Sequence, residues 1–375
     1  MNLKKTIALA VVLLLAATML FGCGGKEVVA AKVGDMEVTV TQLENYYNSS
    51  LSYASSYGYD TSTDDGITQF RDYMLDSLIS STMKIYQAKL AGITLTDDEM
   101  AAAKDTAQQN YDDTVQSFVD QATSAGASNV QAYAKTLLTK ALVSNKTTVK
   151  KLQAKMLEDA IDNTLVSKHK TALLEGVALT EDELAAKYTD ELASQKQYFD
   201  ATPSEYFTYE TYSQYGYTAP PVYIPDGFFR VRQILVADEE TALLVKQQLD
   251  AGADFETLLE QYNTDPGMQS EEYAAGYLVG EGASFVDAFL NAALALTEDG
   301  QVSDPVQSDY GWHIIKRVST ESAHEIPYED VKTAFDAYEQ SAYQQSYYSD
   351  IVAGWVADES LVTRYPDNYA TVGLS

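Results

Sequence analysis

The stretch from Phe228 to Val318 constrains the fold of this chain more than any other part. It begins with a strand-like run, Phe229-Arg-Val-Arg-Gln-Ile-Leu-Val236, and ends with a second one, Tyr310-Gly-Trp-His-Ile-Ile-Lys316. Between them stand Gly-Ala-Asp-Phe at 252–255 and Tyr-Asn-Thr-Asp-Pro-Gly at 262–267. The pattern predicts strands at both ends of the stretch, with helices and turns between them.

The same stretch contains further local start and stop signals. Asp254 is expected to cap a short helix, because an Asp side chain can accept the free N–H groups of a first helical turn. The sequence predicts three helices and two closing strands, at Glu239–Ala251, after Asp254, at Phe285–Leu296, at Val302–Val306 and at Trp312–Val318. Pro305 cannot donate to a strand ladder, so it is expected at an edge or a strand end.

These segments, in this order and spacing, resemble the landmarks of a parvulin-type peptidyl-prolyl isomerase domain, which read R-H-I-L-V, G-A-D-F, S-x-D-P-G and G-x-H-I-I-K. The resemblance covers about a quarter of the chain. It implies a small antiparallel sheet flanked by helices, and an enzyme that isomerises X–Pro bonds without a cofactor or metal. It also implies a site made of a polar catalytic floor, Gln233, Asp265, Tyr310 and His313, and apolar walls that bind the proline ring, Leu278, Phe285 and Phe289.

Three features depart from the parvulin pattern. Gln233 stands where the family usually has histidine, and a glutamine donates and accepts hydrogen bonds but does not change charge with pH. The loop 275–282 is two residues shorter than the family's glycine-rich loop, and Phe285 stands where methionine is common. Two functions therefore stay open: an isomerase, and a binding-only chaperone with a weak or inactive parvulin domain.

Each candidate residue also has a purely structural interpretation. His313 could only support the strand in which it lies, and Asp265 could only start a turn, since Asp-Pro-Gly suits a turn well. Phe285 and Phe289 are four residues apart and could be core residues of one helix face. Trp312, next to His313 on the opposite strand face, is expected to be packed rather than catalytic.

The N-terminus has the pattern of a secretory signal. Two lysines precede an apolar run from Ile7 to Met19, which is too short to span a bilayer. The next residues, Leu20-Phe21-Gly22-Cys23, resemble the lipobox of bacterial lipoproteins. This resemblance implies a signal peptide at 1–22, lipidation of Cys23, a tether at 23–30, and a protein anchored to the lipid bilayer on the extracytoplasmic face of a bacterial cell membrane. Because Cys23 is the only cysteine, no disulfide can form within the chain.

After the tether, the alternating segment 31–40 predicts a hairpin around Gly34-Asp35, and Thr41 with Glu44 is expected to cap the first helix. The arrangement V-G-D-x-x-V-T-x-x-x-L-E-x-Y-Y resembles the start of the chaperone domain in the PrsA and SurA families of extracytoplasmic foldases. Long helical patterns follow it. The expected first domain is a mostly helical, SurA-N-like chaperone domain at 31–194.

The remaining boundaries follow from composition and from the same resemblance. Residues 195–227 hold seven tyrosines and little helical periodicity, so a Tyr/Pro-rich linker or long loop is expected there. Its tyrosines either form a surface for unfolded chains or pack along their neighbours. In the PrsA and SurA families the chain after the isomerase folds back on the N-terminal domain. The resemblance thus implies an α+β fold in which a parvulin domain at 228–320 is inserted before a C-terminal helical segment at 325–375.

Charge and missing motifs exclude several functions. The chain has 25 basic and 55 acidic residues and a formal charge of −30, which repels nucleic-acid phosphates. No H-E-x-x-H, Walker or G-x-S-x-G motif is present, and the three histidines are too scattered to suggest a metal site. The expected function is a membrane-anchored foldase whose partners are unfolded or newly secreted polypeptides with X–Pro bonds.

Overall fold

The computed structural model describes residues 27–144 and 147–374. The predicted signal peptide at 1–22 and Cys23 lie outside the described residues. The described chain forms two compact units: the residues up to Val177 together with those from Gln344 onward, and the continuous segment Ala178–Tyr343. The fold is α+β, mostly helical with small antiparallel sheets, which confirms the predicted fold class. Within the described ranges, no helix is long and apolar enough to cross a membrane.

The first unit combines a three-stranded antiparallel sheet with long helices. The sheet has the order β2-β1-β9, with β1 at Val29–Val33, β2 at Met36–Thr39 and β9 at Val362–Arg364. The helices are α1 (Val40–Ser50), α2 (Asp64–Leu90), α3 (Asp97–Ser124), α4 (Val130–Ser144), α5 (Val149–Leu173) and the short C-terminal α12 (Pro366–Tyr369), with a 3-10 segment at Leu51–Tyr57. Strand β1 thus begins inside the segment predicted as a tether.

The start of the first unit confirms the hairpin and corrects the cap. β1 and β2 pair in antiparallel register with Val33 opposite Met36, so the turn lies at Gly34-Asp35 as predicted. The capping box, however, is Thr39 with Gln42 and not Thr41 with Glu44. The Thr39 hydroxyl accepts from the Gln42 N–H, and the Gln42 side chain accepts from the Thr39 N–H at 2.8 Å, so helix α1 begins directly where β2 ends.

The core of the first unit is the apolar stripe of α2. The buried side chains recur at helical spacing and pack beneath the hairpin: Phe70, Met74, Leu75, Ile79 and Met83. Thr96 and Glu99 form a capping box at the start of α3, and Thr180 and Glu183 form the same box at the start of the first helix of the second unit. Local capping chemistry therefore sets these helix starts.

The second unit contains a four-stranded antiparallel sheet with the order β5-β4-β7-β6 and a two-stranded one, β3-β8. The strands are β3 (Tyr223–Ile224), β4 (Phe228–Val236), β5 (Tyr277–Val279), β6 (Val306–Ser308), β7 (Gly311–Glu321) and β8 (His324–Glu325). The helices are α6 (Glu181–Ala201), α7 (Tyr206–Gln214), α8 (Glu239–Asp250), α9 (Phe255–Tyr262), α10 (Asp287–Leu294) and α11 (Tyr328–Val356), with 3-10 turns at Pro203–Glu205, Pro266–Gln269 and Glu271–Tyr273. Residues 344–356 of α11 belong to the first unit.

The two faces of the four-stranded sheet carry different helices because successive strand residues point to opposite sides. Ile234 and Ile314 face α8 and α9. Val231 and Ile315 face α10, which covers them with Phe289. Gln233 is two positions after Val231 on β4, so its side chain lies on the same face of the sheet as α10. The other polar residues of the candidate site are found on this face as well.

Three predicted segments differ from the structure. The strand expected at Val302–Val306 is reduced to an isolated bridge at Val302, and strand β6 runs from Val306 to Ser308. The expected linker 195–227 contains the end of α6, helix α7 and strand β3, because Tyr206 and Phe207 are buried against Phe228 and this packing outweighs the weak helical pattern. Its tyrosines divide: Tyr206 and Tyr223 are buried, and four others are exposed, at positions 198, 212, 215 and 217. Helix α10 starts at Asp287, so Phe285 precedes it; an acidic residue in the first turn favours this start.

Candidate active site

The candidate site lies on the α10 face of the sheet, where strands β4 and β7 run side by side. Leu235 pairs with His313 and Gln233 pairs with Ile315, so Gln233 and His313 are diagonal neighbours on one face. The ring of Phe289 stands 5.6 Å from the ring of His313 in an edge-on arrangement. Register alone therefore brings together residues that are 80 positions apart in the chain.

Asp265 enters this face from the loop after α9. The Asn263 amide fixes the loop, because its Oδ1 accepts from the N–H groups of Leu235 and Asp265 at 2.9 and 3.1 Å. The Asp265 carboxylate accepts from the Gly267 N–H at 2.9 Å and caps the 3-10 turn that begins at Pro266. One carboxylate oxygen of Asp265, Oδ1, therefore caps the turn, as its structural interpretation predicted. The other oxygen, Oδ2, is available to the candidate site.

That second oxygen, Oδ2, is the centre of the polar floor. It accepts from Nε2 of Gln233 at 2.6 Å and from the hydroxyl of Tyr277 at 2.8 Å. Asp265 and Gln233 are both buried. All three contacts of the Asp265 carboxylate come from donor groups, so both of its oxygens act as acceptors.

The Asp265 carboxylate, as an acceptor, determines the orientation of every other group in the floor. Gln233 must turn its N–H to Asp265, so its Oε1 faces His313 and accepts from Nδ1 at 2.7 Å. Nε2 of His313 is then the acceptor of the ring, and it lies 2.6 Å from the Ser308 hydroxyl, which donates to it. One continuous series of hydrogen bonds thus links Tyr277, Asp265, Gln233, His313 and Ser308.

Burial favours the uncharged forms of His313 and Tyr277. It lowers the pKa of His313, an effect that the nearby Asp265 charge partly offsets. It raises the pKa of Tyr277, and the hydrogen bond to Asp265 adds to this rise. At neutral pH His313 is therefore a neutral imidazole and Tyr277 a hydroxyl donor.

The predicted wall residues occupy different positions around the floor. Phe285 and Phe289 contact each other with ring centroids 4.9 Å apart, and Tyr277 contacts Phe285 at 5.5 Å. Phe289 is only 2% exposed and belongs to the core under α10, whereas Phe285 is half-buried. Leu278 follows Tyr277 on edge strand β5 and points to the other face, where it packs beside Phe228 and Phe285.

Tyr310 is the one predicted floor residue whose side chain is not brought to the floor. Its ring is 72% exposed, and it takes part through its backbone N–H, which donates to the Ser308 hydroxyl at 3.0 Å. Sequence reasoning missed Tyr277 and Ser308. Tyr277 could have been found from strand alternation, because it precedes Leu278 and must face the opposite side of the sheet. Ser308 could have been found from a tight hairpin, because it lies opposite Gly311 and close to His313.

The arrangement offers polar groups of fixed orientation beside aromatic walls, and it contains no exposed nucleophile. Among the residues that the structure describes, no group of three or more His, Cys, Asp or Glu side chains is placed to hold a metal ion.

Two family descriptions match this chain. Residues 189–333 match the PPIC-type PPIase domain, and residues 2–137 match the SurA-like N-terminal domain. Both resemblances stated from the sequence are thereby confirmed.

Individual relatives extend this similarity over most of the chain. The foldase protein PrsA of Clostridium acetobutylicum is 24% identical over 343 residues, which covers 89% of this chain and 87% of that protein. The foldase protein PrsA of a Geobacillus species is 44% identical over 103 residues, 28% of this chain and 36% of that protein. The crystal structure of the peptidylprolyl isomerase PrsA from Bacillus anthracis is 21% identical with a TM-score of 0.23, and covers 73% of this chain and 92% of that chain.

Proposed function

Since this chain carries a PPIC-type isomerase domain and a SurA-like N-terminal domain and is related to the PrsA foldases, we propose that it is an extracytoplasmic foldase that isomerises X–Pro bonds in secreted polypeptides. One observation carries the isomerase part. It is the buried hydrogen-bonded floor of Asp265, Gln233 and His313 next to the aromatic rings of Phe285 and Phe289.

The reaction needs neither a nucleophile nor a metal. Amide resonance sets a barrier of about 18–20 kcal/mol, and an enzyme lowers it by binding the twisted amide more tightly than the planar one. In our proposal the aromatic walls hold the proline ring. The Asp265 carboxylate disfavours the planar amide, whose resonance places negative charge on the carbonyl oxygen, and Gln233 and His313 keep that carboxylate in place.

The first unit, in this proposal, supplies the chaperone function. We assign residues 31–194 and 325–375 to the domain that holds unfolded chains, and 228–320 to the isomerase domain. Lipidation at Cys23 would keep both at the outer surface of the cell membrane, because two or more acyl chains anchor a protein stably.

The central test is refolding of a substrate whose rate is limited by proline isomerisation. The wild-type chain should accelerate refolding and suppress aggregation. If aggregation is suppressed while the rate equals the uncatalysed one, the protein is a binding-only chaperone.

The site assignment is tested with one peptide and three variants. Asp265→Ala should lower kcat/KM by about 10-fold or more, about 1.4 kcal/mol of transition-state stabilisation, and His313→Ala should lower it as well. Gln233→His should change it little, because the glutamine already bridges Asp265 and His313. A folded Asp265→Ala variant as active as wild type would show that the site lies elsewhere; a large gain in Gln233→His would favour a relay between two histidines.

Membrane anchoring is tested at Cys23. The Cys23→Ser variant should either keep its signal or be released from the membrane. If it still partitions fully into detergent as a processed protein of mature length, Cys23 is not the anchor.

Substrate charge is the fourth test. Residues 228–323 hold five basic and seventeen acidic residues, a net charge of −12. Arg230 and Arg232 lie on β4, where they pair with Glu321 and Glu256. We therefore propose unphosphorylated, neutral or basic X–Pro substrates, and faster turnover of a phosphoserine-proline peptide than of its unmodified twin would contradict this.

A further inference from the structure

One cavity of the second unit lies beside the predicted proline site and shares residues with it. Its volume is about 440 Å³, inside the range of about 300–1,000 Å³ that is usual for ligand pockets. Helix α7 lines one side through Phe207 and Glu210, and edge strand β5 lines the other through Leu278. Phe285 lines it too and contacts Phe289, so the cavity and the predicted proline site share a wall.

Glu210 is the only carboxylate among the described residues that line this cavity. The side chain is half-buried, and it makes no hydrogen bond or ion pair with any described residue. Burial raises its pKa. A carboxylate withdrawn from water costs free energy unless a donor or cation compensates it, so this position is suited to a cationic ligand group.

The basic side chain that lines the same cavity, Arg230, already has other partners. Its Nε donates to the Glu321 carboxylate and its Nη1 donates to the Gly276 carbonyl. The other polar lining groups near Glu210 are uncharged side chains of the same helix, Tyr206, Thr211 and Gln214. The cavity therefore has one uncompensated negative group, together with apolar side chains such as Phe207 and Leu278 in a mixed lining.

We propose that this cavity is a subsite that takes a lysine or arginine side chain of the client polypeptide, close in sequence to the proline whose bond is isomerised. The methylene stem would lie along Phe207 and Leu278, and the charged end would reach Glu210. The subsite rests on the proposed isomerase function of the neighbouring site. Helix α7, which supplies Glu210 and Phe207 to this subsite, lies in the segment that the sequence predicted to be a linker.

The experiment uses the full chain and a set of capped alanine peptides with a single Ala-Pro bond. One lysine is moved through the three positions before and the three after that bond, and a matching set carries norleucine instead. Isomerisation is measured by NMR exchange for wild type, Glu210→Gln and Glu205→Gln. Glu205→Gln is the matched control, because it removes the same charge from an exposed position outside the cavity.

At one or two positions lysine should raise the kcat/KM of wild type about 5-fold over norleucine, a gain between those of exposed and buried ion pairs. Glu210→Gln should lose this gain and keep wild-type activity on the norleucine peptides, and Glu205→Gln should keep both. The subsite is refuted if lysine gives no gain at any position, or if the gain survives in Glu210→Gln. Circular dichroism confirms that the variants are folded.

A chain that accelerates none of these peptides would refute the isomerase function and not the subsite. The same peptides are then compared by fluorescence anisotropy. A lysine peptide that binds wild type about 5-fold more tightly than Glu210→Gln supports the subsite. Equal affinity for both proteins overturns it.

Discussion

Replacing Gln233 by glutamate tests the orientation of the floor with almost no change in shape. In the wild-type protein Nε2 of Gln233 donates to Oδ2 of Asp265 across 2.6 Å, and the two side chains are 6% and 9% exposed. Gln233→Glu puts two carboxyl groups at this separation. They cannot both ionise there, so the pKa of the pair's second ionisation must rise.

The size of the effect follows from linkage. A rise of about 3 pKa units for a buried carboxyl corresponds to about 4 kcal/mol at pH 7, since each unit is about 1.4 kcal/mol. His313 donates to the same group and can offset part of this by taking up a proton. We therefore expect Gln233→Glu to destabilise the second unit by about 2–4 kcal/mol at pH 7.

The sign of the pH dependence is fixed. The introduced carboxyl has a folded pKa above its unfolded value of about 4.3, so the folded state binds the extra proton between the two values. The destabilisation is therefore small at pH 4, grows as the pH rises, and levels off above the folded pKa.

The assay is urea unfolding at pH 4, 5, 6, 7 and 8, followed by Trp312 fluorescence in a Trp355→Phe background, which leaves one tryptophan in the second unit. Gln247→Glu, on the exposed side of α8, adds the same charge and should cost only a few tenths of a kcal/mol. A loss that is equal at all pH values, or no larger than that of Gln247→Glu, would refute the assigned orientation of Gln233.

Three further outcomes are expected from the same site. Because burial lowers the pKa of His313 below 6.5, the unfolded state takes up a proton at a higher pH than the folded state does. The contribution of His313 to the stability of the second unit should therefore be full above pH 6.5 and fall below it. Urea unfolding at pH 5 and 7 should show a larger loss at pH 5 for wild type than for His313→Gln. Phe289→Ala should cost about 3–5 kcal/mol in urea unfolding, and Phe285→Ala clearly less, since only Phe289 is fully buried. Gly267→Ala adds a Cβ that collides with the Tyr277 hydroxyl, so it should lower the free energy of unfolding by about 1–3 kcal/mol in the same measurement. In the Gly267→Ala background, Tyr277→Phe should lower it little further. Full additivity of the two losses would contradict the contact.

Much of the second unit could be predicted because its signals are local. Strand β4 was expected at 229–236 and lies at Phe228–Val236, and Asp254 caps α9 through the Thr257 N–H as predicted. The β4–β7 register, which is a contact between residues 80 positions apart, then places Gln233 and His313 on one face. Strand alternation and helix capping depend only on residues close together in the sequence, so both can be read from the sequence itself.

The missing parts depend on contacts between distant residues. Helix α7 forms because Tyr206 and Phe207 are buried against Phe228, which its own sequence does not reveal. Tyr277 and not Tyr310 reaches Asp265, because Tyr277 pairs with Val231 of β4 and therefore lies on the α10 face of the sheet. Tyr310 lies in the β6–β7 turn and stays exposed.

The pairing of β1 with β9 determines the order in which the chain can complete its fold. Ala31 lies opposite Arg364 and Val33 opposite Val362, so the sheet that starts at residue 29 needs a strand from nearly the last residues to be made. The second unit is continuous and can fold as soon as Tyr343 has been synthesised, and its folding shortens the loop that remains to be closed. Proteolysis close to the C-terminus would therefore leave the second unit intact and expose the unpaired edge of β1, which is a template for aggregation.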